Sequence, residues 1–364
     1  MVARGRVYTP GVKGAEPLPR QDVAAAPTET ATCPICTTTG THRRLRLREM
    51  MFGTREAFDY LLCTGCGTIR IAEVPEDLER HYPARYHYER LDPDMVPGPG
   101  LQRRVVAIGL RPDFTGSGRL AARIARRLAP PPRGYRRWRG SFLRWGVRSV
   151  DARVLDVGCG SIPNRLVALR ALGFNRLLGI DPFIERDVTV AGVPVRKVGI
   201  DQVQGPFDLV WFHHSLEHVP DPTAALAAAA RLLRPGGQVV VRTPVIGTAL
   251  WDRYGTDWWE LDPPRHLFVF SAPALEAMAK GAGLELEETV QETHPKEFIG
   301  SEQYRRDLPM FEPGSWFADE TKSWVGEGEL ARFAEDARQA NEAGRAGRAC
   351  FRFRARAGSS TLGG

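Results

Sequence analysis

Residues 153–181 constrain the fold more than any other part of the 364-residue chain. They begin with an apolar strand, continue with a turn that contains Gly158 and Gly160, and then show helical periodicity over residues 164–172. A second apolar strand follows and ends at Asp181. This order of strand, glycine turn, helix, strand and acid is typical of half a dinucleotide-type fold, in which the ligand lies across the strand tips.

The glycine turn argues against a nicotinamide cofactor. The nicotinamide fingerprint is G-x-G-x-x-G, and here Pro163 stands where the third glycine would be. Asp156, two residues before the first glycine, favours a ligand that carries a positive charge. S-adenosylmethionine (SAM) carries both an ammonium and a sulfonium group, so it suits this turn. An NAD-dependent dehydrogenase is therefore the least favoured alternative.

Three motifs carry a family resemblance. The turn Asp-Val-Gly-Cys-Gly (156–160) resembles the first motif of class I SAM-dependent methyltransferases. The run His-His-Ser-Leu-Glu-His-Val-Pro-Asp-Pro (213–222) and the turn Leu-Arg-Pro-Gly-Gly (233–237) resemble a subgroup of that superfamily, often found in bacterial glycan or secondary-metabolite pathways. The resemblance extends from Cys33 to Phe353.

The resemblance implies the fold and the cofactor site. The fold is α/β, with a Rossmann-like, doubly wound, mostly parallel seven-stranded sheet and a small N-terminal zinc ribbon. The residues assigned to SAM are Asp156, Gly158, Cys159, Gly160, Asp181, Asp201 and His213. Among these, the resemblance implies that Asp181 binds the ribose and that Asp201 hydrogen-bonds the adenine amine.

Two C-x-x-C pairs near the amino terminus predict a metal site. The four thiols, separated into pairs by a run of apolar residues that suits short strands, match a structural Zn²⁺ of zinc-ribbon type. Four protein ligands leave the metal no open position for chemistry. The alternative is a set of reduced, metal-free cysteines. The predicted ligands are Cys33, Cys36, Cys63 and Cys66.

The histidine-rich run is predicted to hold the catalytic base. Methyl transfer from SAM is an in-line displacement, in which alignment supplies much of the rate. A hydroxyl acceptor must also lose a proton, and an imidazole suits that role. We predict His214 or His218 as the base and His266 as a competitor. The alternative is that these histidines make only structural hydrogen bonds. The aromatic segment that follows is predicted to wall the acceptor pocket, with Tyr254, Trp258 and Arg265 as acceptor-binding residues.

Composition and motifs together predict five segments. They are a disordered tail (1–30), a zinc-ribbon-like module (31–100), an arginine-rich helical connector (101–150), the methyltransferase domain (151–300) and a C-terminal extension that packs on it (301–364). Tyrosines that follow the ribbon could cover a pocket or simply pack against the ribbon; they are Tyr82, Tyr86 and Tyr88.

The connector and the net charge of +7 allow an anionic partner. In the connector, arginines alternate with Tyr135, Trp138, Phe142 and Trp145, and the prolines at 130–132 are expected to divide two helices. Nucleic acid, an anionic membrane surface and an ordinary solvated helix face are all compatible with this pattern. With no apolar run of membrane-spanning length, we expect a cytoplasmic protein with at most peripheral membrane contact.

The resulting functional prediction is methyl transfer from SAM to a hydroxyl, or another nucleophile, of a small-molecule or glycan-type acceptor. An RNA methyltransferase is the first alternative, favoured by the basic connector but lacking an Asn-Pro-Pro-Tyr type motif at the fourth strand tip. A non-catalytic SAM-binding regulator is the second.

Overall fold

The computed structural model describes residues 26–82, 98, 100–115, 117–132, 135, 140, 142–143 and 146–356. The chain divides into two compact units. The first unit contains residues up to His81, Pro244–Leu275 and Gln291–Ala349, and the second contains Tyr82–Thr243, Glu276–Val290 and the residues from Cys350 onward.

Several predictions fall on residues outside the described part. They concern most of the tail (1–25), two tyrosines, the carboxyl-terminal residues 357–364 and much of the connector's second half: Tyr86, Tyr88, Arg133, Arg136, Arg137, Trp138, Arg139, Arg144 and Trp145.

The described residues form thirteen strands and eight α-helices. The strands are β1 (Thr28–Thr32), β2 (Thr39–Arg48), β3 (Ala57–Leu62), β4 (Ile69–Ile71), β5 (Arg153–Val157), β6 (Arg176–Ile180), β7 (Val188–Val190), β8 (Val193–Arg196), β9 (Phe207–His213), β10 (Leu233–Ile246), β11 (Phe268–Ser271), β12 (Leu284–Glu292) and β13 (Arg348–Ala355). The helices are α1 (Gly100–Thr115), α2 (Arg119–Leu128), α3 (Asn164–Ala171), α4 (Pro222–Arg231), α5 (Ala249–Tyr254), α6 (Ala272–Gly281), α7 (Pro295–Arg305) and α8 (Glu327–Glu342). None of these helices combines the length and the apolar content needed to cross a bilayer.

The second unit is built on a mostly parallel sheet in the order β12-β13-β10-β9-β5-β6-β8-β7. Strands β10, β9, β5, β6 and β8 pair in parallel, and β7 turns back antiparallel on β8 at the edge. The amide of Arg356 donates to the carbonyl of Gly283, so β12 and β13 run in opposite directions. The predicted Rossmann-like α/β fold is confirmed; the β7 hairpin is an addition that the sequence analysis did not anticipate.

Burial explains why the central strands read as apolar runs in the sequence. Val154 and Leu155 of β5, Val210 of β9 and Val241 of β10 are all fully buried. Parallel strands covered on both faces lack the polar alternation of half-exposed strands. Their carboxyl ends meet at one edge of the sheet, and this edge carries the glycine turn and the histidine-rich run.

The first unit contains an antiparallel ladder, β1-β2-β3-β4, that continues through β11 to the last residues of β10. Val269 of β11 pairs with Ile69 of β4, and Phe270 pairs with Val245 of β10. The predicted boundaries at 100, 150 and 300 remain predictions, and each compact unit of the structure is assembled from several stretches of the chain. Backbone pairing joins the ribbon strands to residues 244–275 in one unit, and sequence distance does not reveal such pairing.

The connector is helical on both sides of the prolines at 130–132. Helices α1 and α2 precede the prolines, and α2 ends at the C-cap Ala129 directly before them. Residues 135, 140, 142 and 143, which follow the prolines, are also helical. Proline has no amide hydrogen to continue a helix, so the prolines end the helical segment that precedes them.

Candidate active site

The turn after β5 brings the backbone close to the tip of β9. Gly158 and Gly160 have φ angles of +70° and +68°, a region that favours glycine. A Cβ on Gly158 would lie 2.5 Å from the Cβ of Ser215, whereas a Cβ on Gly160 would meet nothing within 4 Å. The hydroxyl of Ser215 donates to the carbonyl of Val157 at 2.6 Å and fixes this approach. The turn thus presents bare backbone beside open space, which suits a ligand that must approach closely.

The carboxylate of Asp181, at the end of β6, is hydrogen-bonded to the turn that follows β5. Its Oδ2 accepts from the amide of Gly160 at 3.0 Å, and its Oδ1 accepts from the amide of Phe183 at 2.8 Å. The residue is 9% exposed. Asp181 therefore shapes the turn, and the ribose contact assigned to it remains a prediction. Asp201, the adenine candidate, is exposed in a short 3₁₀ turn after β8.

Two other residues assigned to the cofactor have buried side chains. Asp156 is fully buried, and its Oδ2 lies 3.3 Å from Nε of Arg165. The cofactor contact assigned to Asp156 remains a prediction. The thiol of Cys159 packs with Ile184 and Val195. Burial, together with the nearby carboxylate of Asp156, raises the pKa of this thiol well above its usual value. The cofactor contact assigned to Cys159 remains a prediction.

Both ring nitrogens of His214, the residue directly after β9, have partners. The residue has a φ of +53°, its Nδ1 lies 3.3 Å from Oε1 of the buried Glu217, and its Nε2 contacts Nη1 of Arg242. Because a guanidinium can only donate, Nε2 must accept and Nδ1 must carry the proton. The ring of His213, the last residue of β9, lies 5.2 Å from that of His214. The ring of His214 is therefore held by partners at both nitrogens, and its role as a base remains a prediction.

His218 has different surroundings. It is partly exposed, and its Nδ1 lies 3.2 Å from the hydroxyl of Tyr82. The ring of Tyr82 stacks on Phe183, with centroids 6.5 Å apart and planes inclined by 9°. Phe183 is 72% exposed and follows the carboxylate of Asp181 by two residues. An aromatic pair thus covers the β6 tip and orients one imidazole.

In the first unit, the guanidinium of Arg265 is fully buried. Its Nη2 donates to Oε1 of Glu49 at 2.8 Å and its Nε to Oδ2 of Asp262 at 2.9 Å. Its Nη1 donates to the carbonyl of His81 at 3.1 Å, and the guanidinium lies over the ring of Phe52. Burial alone would lower the pKa of Arg265, but the two carboxylates outweigh it and raise the pKa. These contacts make Arg265 a structural ion-pair partner in the first unit, and its acceptor-binding role remains a prediction.

The other acceptor candidates are also buried. Tyr254 and Trp258 are each 1% exposed, and burial raises the pKa of Tyr254. His266 is 6% exposed, its Nδ1 lies 2.7 Å from the carbonyl of Glu260, and burial lowers its pKa. These side chains lie in the interior of the first unit, and the acceptor-pocket wall assigned to them remains a prediction.

The four cysteines of the C-x-x-C pairs come together in the first unit. Their sulfurs all lie within 4.8 Å of one another, with Cys33 and Cys66 at 3.8 Å and Cys36 and Cys63 at 3.6 Å. Tetrahedral thiolates bound to zinc at about 2.3 Å are separated by about 3.8 Å. The distances therefore fit that geometry, and they are too long for a disulfide.

The two cysteine turns have the same construction. The amide of Cys33 donates to the carbonyl of Thr38, and the amide of Cys63 donates to that of Thr68, both at 3.0 Å. The residue after the second cysteine has positive φ in both turns: +58° at Thr37 and +75° at Gly67. This repeated turn aims two pairs of sulfurs at one point, and the spacing of the cysteines was sufficient to predict it.

Several residues of the second unit were not predicted as site residues. They are Arg165, which contacts Asp156, Phe183 beside Tyr82, Ser215 against Gly158, and the two partners of His214, Glu217 and Arg242. Phe183 alone had a local signal, since it follows the acid at the end of the second core strand.

Comparison with known proteins gives the family. A family model described as a methyltransferase domain matches residues 118–289. The ubiquinone biosynthesis O-methyltransferase of Xanthomonas euvesicatoria pv. vesicatoria (strain 85-10) is 34% identical over 174 residues, which are 40% of this chain and 68% of that protein. The chain belongs to the SAM-dependent methyltransferases.

Other relatives of this methyltransferase match over shorter stretches. The ubiquinone biosynthesis O-methyltransferase of Dechloromonas aromatica (strain RCB) is 40% identical over 116 residues, 28% of this chain and 48% of that protein. That of Xanthomonas oryzae pv. oryzae (strain PXO99A) is 38% identical over 107 residues, 26% of this chain and 44% of that protein. The chain thus spans about half the length of these two curated relatives.

Solved structures share less with this methyltransferase. The SAM-dependent methyltransferase of Mesorhizobium loti has a TM-score of 0.37 at 17% identity, covering 61% of this chain and 97% of that one. The [4+2]-cyclase SpnF has a TM-score of 0.39 at 20% identity, covering 74% of this chain and 100% of that one.

Proposed function

We propose that this methyltransferase moves the methyl group of SAM to an oxygen of a small-molecule or glycan-type acceptor. One observation carries the proposal: a partly exposed imidazole, His218, is oriented by Tyr82 at the strand edge that bears the glycine turn. Acceptors with a hydroxyl need such a base, whereas stronger nucleophiles do not. The relatives named O-methyltransferases support the same reaction class.

The residues that would hold SAM are those of the turn. Gly158 and Gly160 offer backbone at close range, Asp181 fixes the turn, and Asp201 and Phe183 lie at the following strand tips. When bound, SAM supplies a methyl carbon that its sulfonium makes electrophilic. The chain contributes binding, orientation of the acceptor and a route for one proton.

The proton route depends on the tautomer of His218. For Nε2 to accept the proton of the acceptor's hydroxyl, Nδ1 must carry a hydrogen. That hydrogen would form a hydrogen bond to the phenol oxygen of Tyr82. The 3.2 Å contact between Nδ1 and the phenol oxygen is compatible with that tautomer. His214 has its tautomer fixed by Glu217 and Arg242, and we assign it to positioning of the β9 tip.

Replacing His218 with glutamine should reduce turnover by about 100-fold or more, because positioned general bases contribute roughly 10²–10⁴ in rate. SAM affinity should change little. Tyr82→Phe should reduce turnover by less than His218→Gln does. It should also shift the pH–rate profile, because it removes the hydroxyl that contacts Nδ1 of His218. The measurement is single-turnover transfer of labelled methyl from SAM into an extract of the source organism, fractionated into small molecules, glycans, lipids and RNA.

His294 provides a matched control. It caps α7 in the first unit, and His294→Asn keeps a capping side chain. Turnover of this variant should equal that of the parent. Equal turnover in His218→Gln would contradict the base assignment. Label in RNA would replace the proposed acceptor class, and no label in any fraction would favour the non-catalytic regulator.

We further infer that the four cysteines bind one structural Zn²⁺. The contact between the sulfurs of Cys33 and Cys66 lowers the pKa of Cys33. The pKa of Cys66 itself rises to about 12. Thiolates this close repel one another, and a divalent cation would stabilise all four.

Removing the metal should unfold the ribbon strands, because structural zinc sites contribute folding free energy directly. We expect one equivalent of zinc by elemental analysis and a lower melting temperature in Cys63→Ser. Cys350→Ala removes a buried thiol outside the cluster and should keep the zinc. The zinc assignment fails if the parent protein holds no zinc after anaerobic reconstitution and melts identically with and without it.

A further inference from the structure

Helix α2 exposes its largest apolar side chains to solvent. Leu120 and Leu128 are each 75% exposed, and Ile124 is 57% exposed. Among the described residues ten large hydrophobic side chains are exposed, and five of them lie on α1 and α2. A surface helix of a globular protein normally turns such side chains toward the core. Their concentration on these helices points to an interaction surface.

Two parallel rows run along α2. Residues four apart lie on the same side of a helix, and the three exposed aliphatic residues have this spacing. We call them the apolar stripe: Leu120, Ile124 and Leu128. A second set with the same spacing starts one residue earlier, about 100° around the helix axis. We call this set the arginine row: Arg119, Arg123 and Arg127.

The packed side of α2 is formed by alanines. Ala122 and Ala125 are buried at 3% and 5% exposure. The Cβ of Ala125 would lie 3.7 Å from a Cβ on Gly109 of α1. Small side chains therefore make the contact between the two helices. The apolar stripe is left outside this contact.

The arginine row has no acidic partner among the residues that the structure describes. No carboxylate in the described part of the chain forms an ion pair with Arg119, Arg123 or Arg127. Arg126, on the side toward α1, behaves differently: it pairs with Asp113 at 2.9 Å and donates to the carbonyl of Gly109 at 2.7 Å. Three unpaired cations beside three exposed aliphatic side chains fit a partner that is both anionic and apolar.

We propose that α2 binds an anionic membrane surface, with the apolar stripe among the acyl chains and the arginine row at the lipid phosphates. An interfacial helix has this division between an apolar side and a cationic side. RNA would satisfy the arginines but leave Leu120, Ile124 and Leu128 in water. An anionic membrane would bind the arginine row and also remove the apolar stripe from water, so it is favoured over RNA.

The test is flotation of the full chain with liposomes of phosphatidylcholine alone or mixed with phosphatidylglycerol. Each arginine near an anionic surface contributes about 1 kcal/mol. The triple variant Arg119→Gln, Arg123→Gln, Arg127→Gln should therefore bind the mixed liposomes about 100-fold more weakly. The triple variant Leu120→Ser, Ile124→Ser, Leu128→Ser should lose at least about tenfold. A control that removes exposed apolar groups elsewhere, Phe311→Ser with Leu330→Ser, should bind like the parent.

Circular dichroism and SAM affinity should be unchanged in all three variants, because the substituted side chains are exposed. Absence of binding to mixed liposomes would overturn the proposal, as would unchanged binding in the serine variant. Binding to total RNA without binding to liposomes would assign the surface to nucleic acid. A dimer in light scattering that the serine variant dissociates would assign it to a second copy of the chain.

Discussion

Replacing Arg265 with methionine is expected to destabilise the first unit by about 3–5 kcal/mol, since removing one partner of a buried ion cluster leaves uncompensated charge. Arg265 is fully buried, and Glu49 is buried with it. Both Glu49 and Asp262 would lose their cation. For a unit of this size the melting temperature should fall by roughly 10 °C, which differential scanning calorimetry would measure.

Arg46 is the matched control for this prediction. Its side chain is 57% exposed and pairs with Asp59 on the ribbon surface. Exposed pairs contribute at most about 1 kcal/mol, so Arg46→Met should melt close to the parent. An acceptor-binding role for Arg265 would give the opposite pattern: an intact melting temperature with a raised KM. That pattern would show that the buried cluster does not explain the residue.

Replacing Gly158 with alanine should weaken SAM binding by at least about tenfold, or ~1.4 kcal/mol. The added Cβ would lie 2.5 Å from the Cβ of Ser215, and φ at this position is +70°. The turn would have to move away from the tip of β9, and with it the backbone proposed to meet the cofactor. Equilibrium dialysis with labelled SAM measures the effect.

Two further variants distinguish the effect of the clash with Ser215 from the effect of a side chain at a positive φ. Gly118→Ala has a similar φ of +79° but meets nothing within 4 Å, so SAM affinity should remain unchanged. Adding Ser215→Gly to Gly158→Ala removes the clashing Cβ and should restore part of the affinity. If Gly158→Ala binds SAM like the parent, the turn does not contact the cofactor.

The sequence predicted the parallel core because its signal is local. Buried strands such as β5, β6 and β9 read as apolar runs, and glycine turns and C-x-x-C pairs have fixed spacing. The β7 hairpin was missed because its strands are three and four residues long. Its turn, Ala191-Gly192 with positive φ at both residues, was its only local signal.

The surroundings of the candidate site residues could not be predicted from the sequence, for one common reason. The role of Arg265 depends on Glu49, which is 216 positions away in the sequence. The role of His214 depends on Arg242, 28 positions away. Asp156 was correctly recognised as part of a motif, but only the fold reveals that it is buried against Arg165. Residue type and spacing indicate which chemistry is available, whereas burial and distant partners decide which groups can reach a ligand.

The central claim is that the turn at Gly158–Gly160 holds SAM. Its most direct test is equilibrium dialysis of the purified chain against labelled SAM, with NADH as the competitor. We predict one SAM bound per chain, no displacement by NADH, and loss of binding in Gly158→Ala. Absence of SAM binding, or displacement of SAM by NADH, would contradict the account.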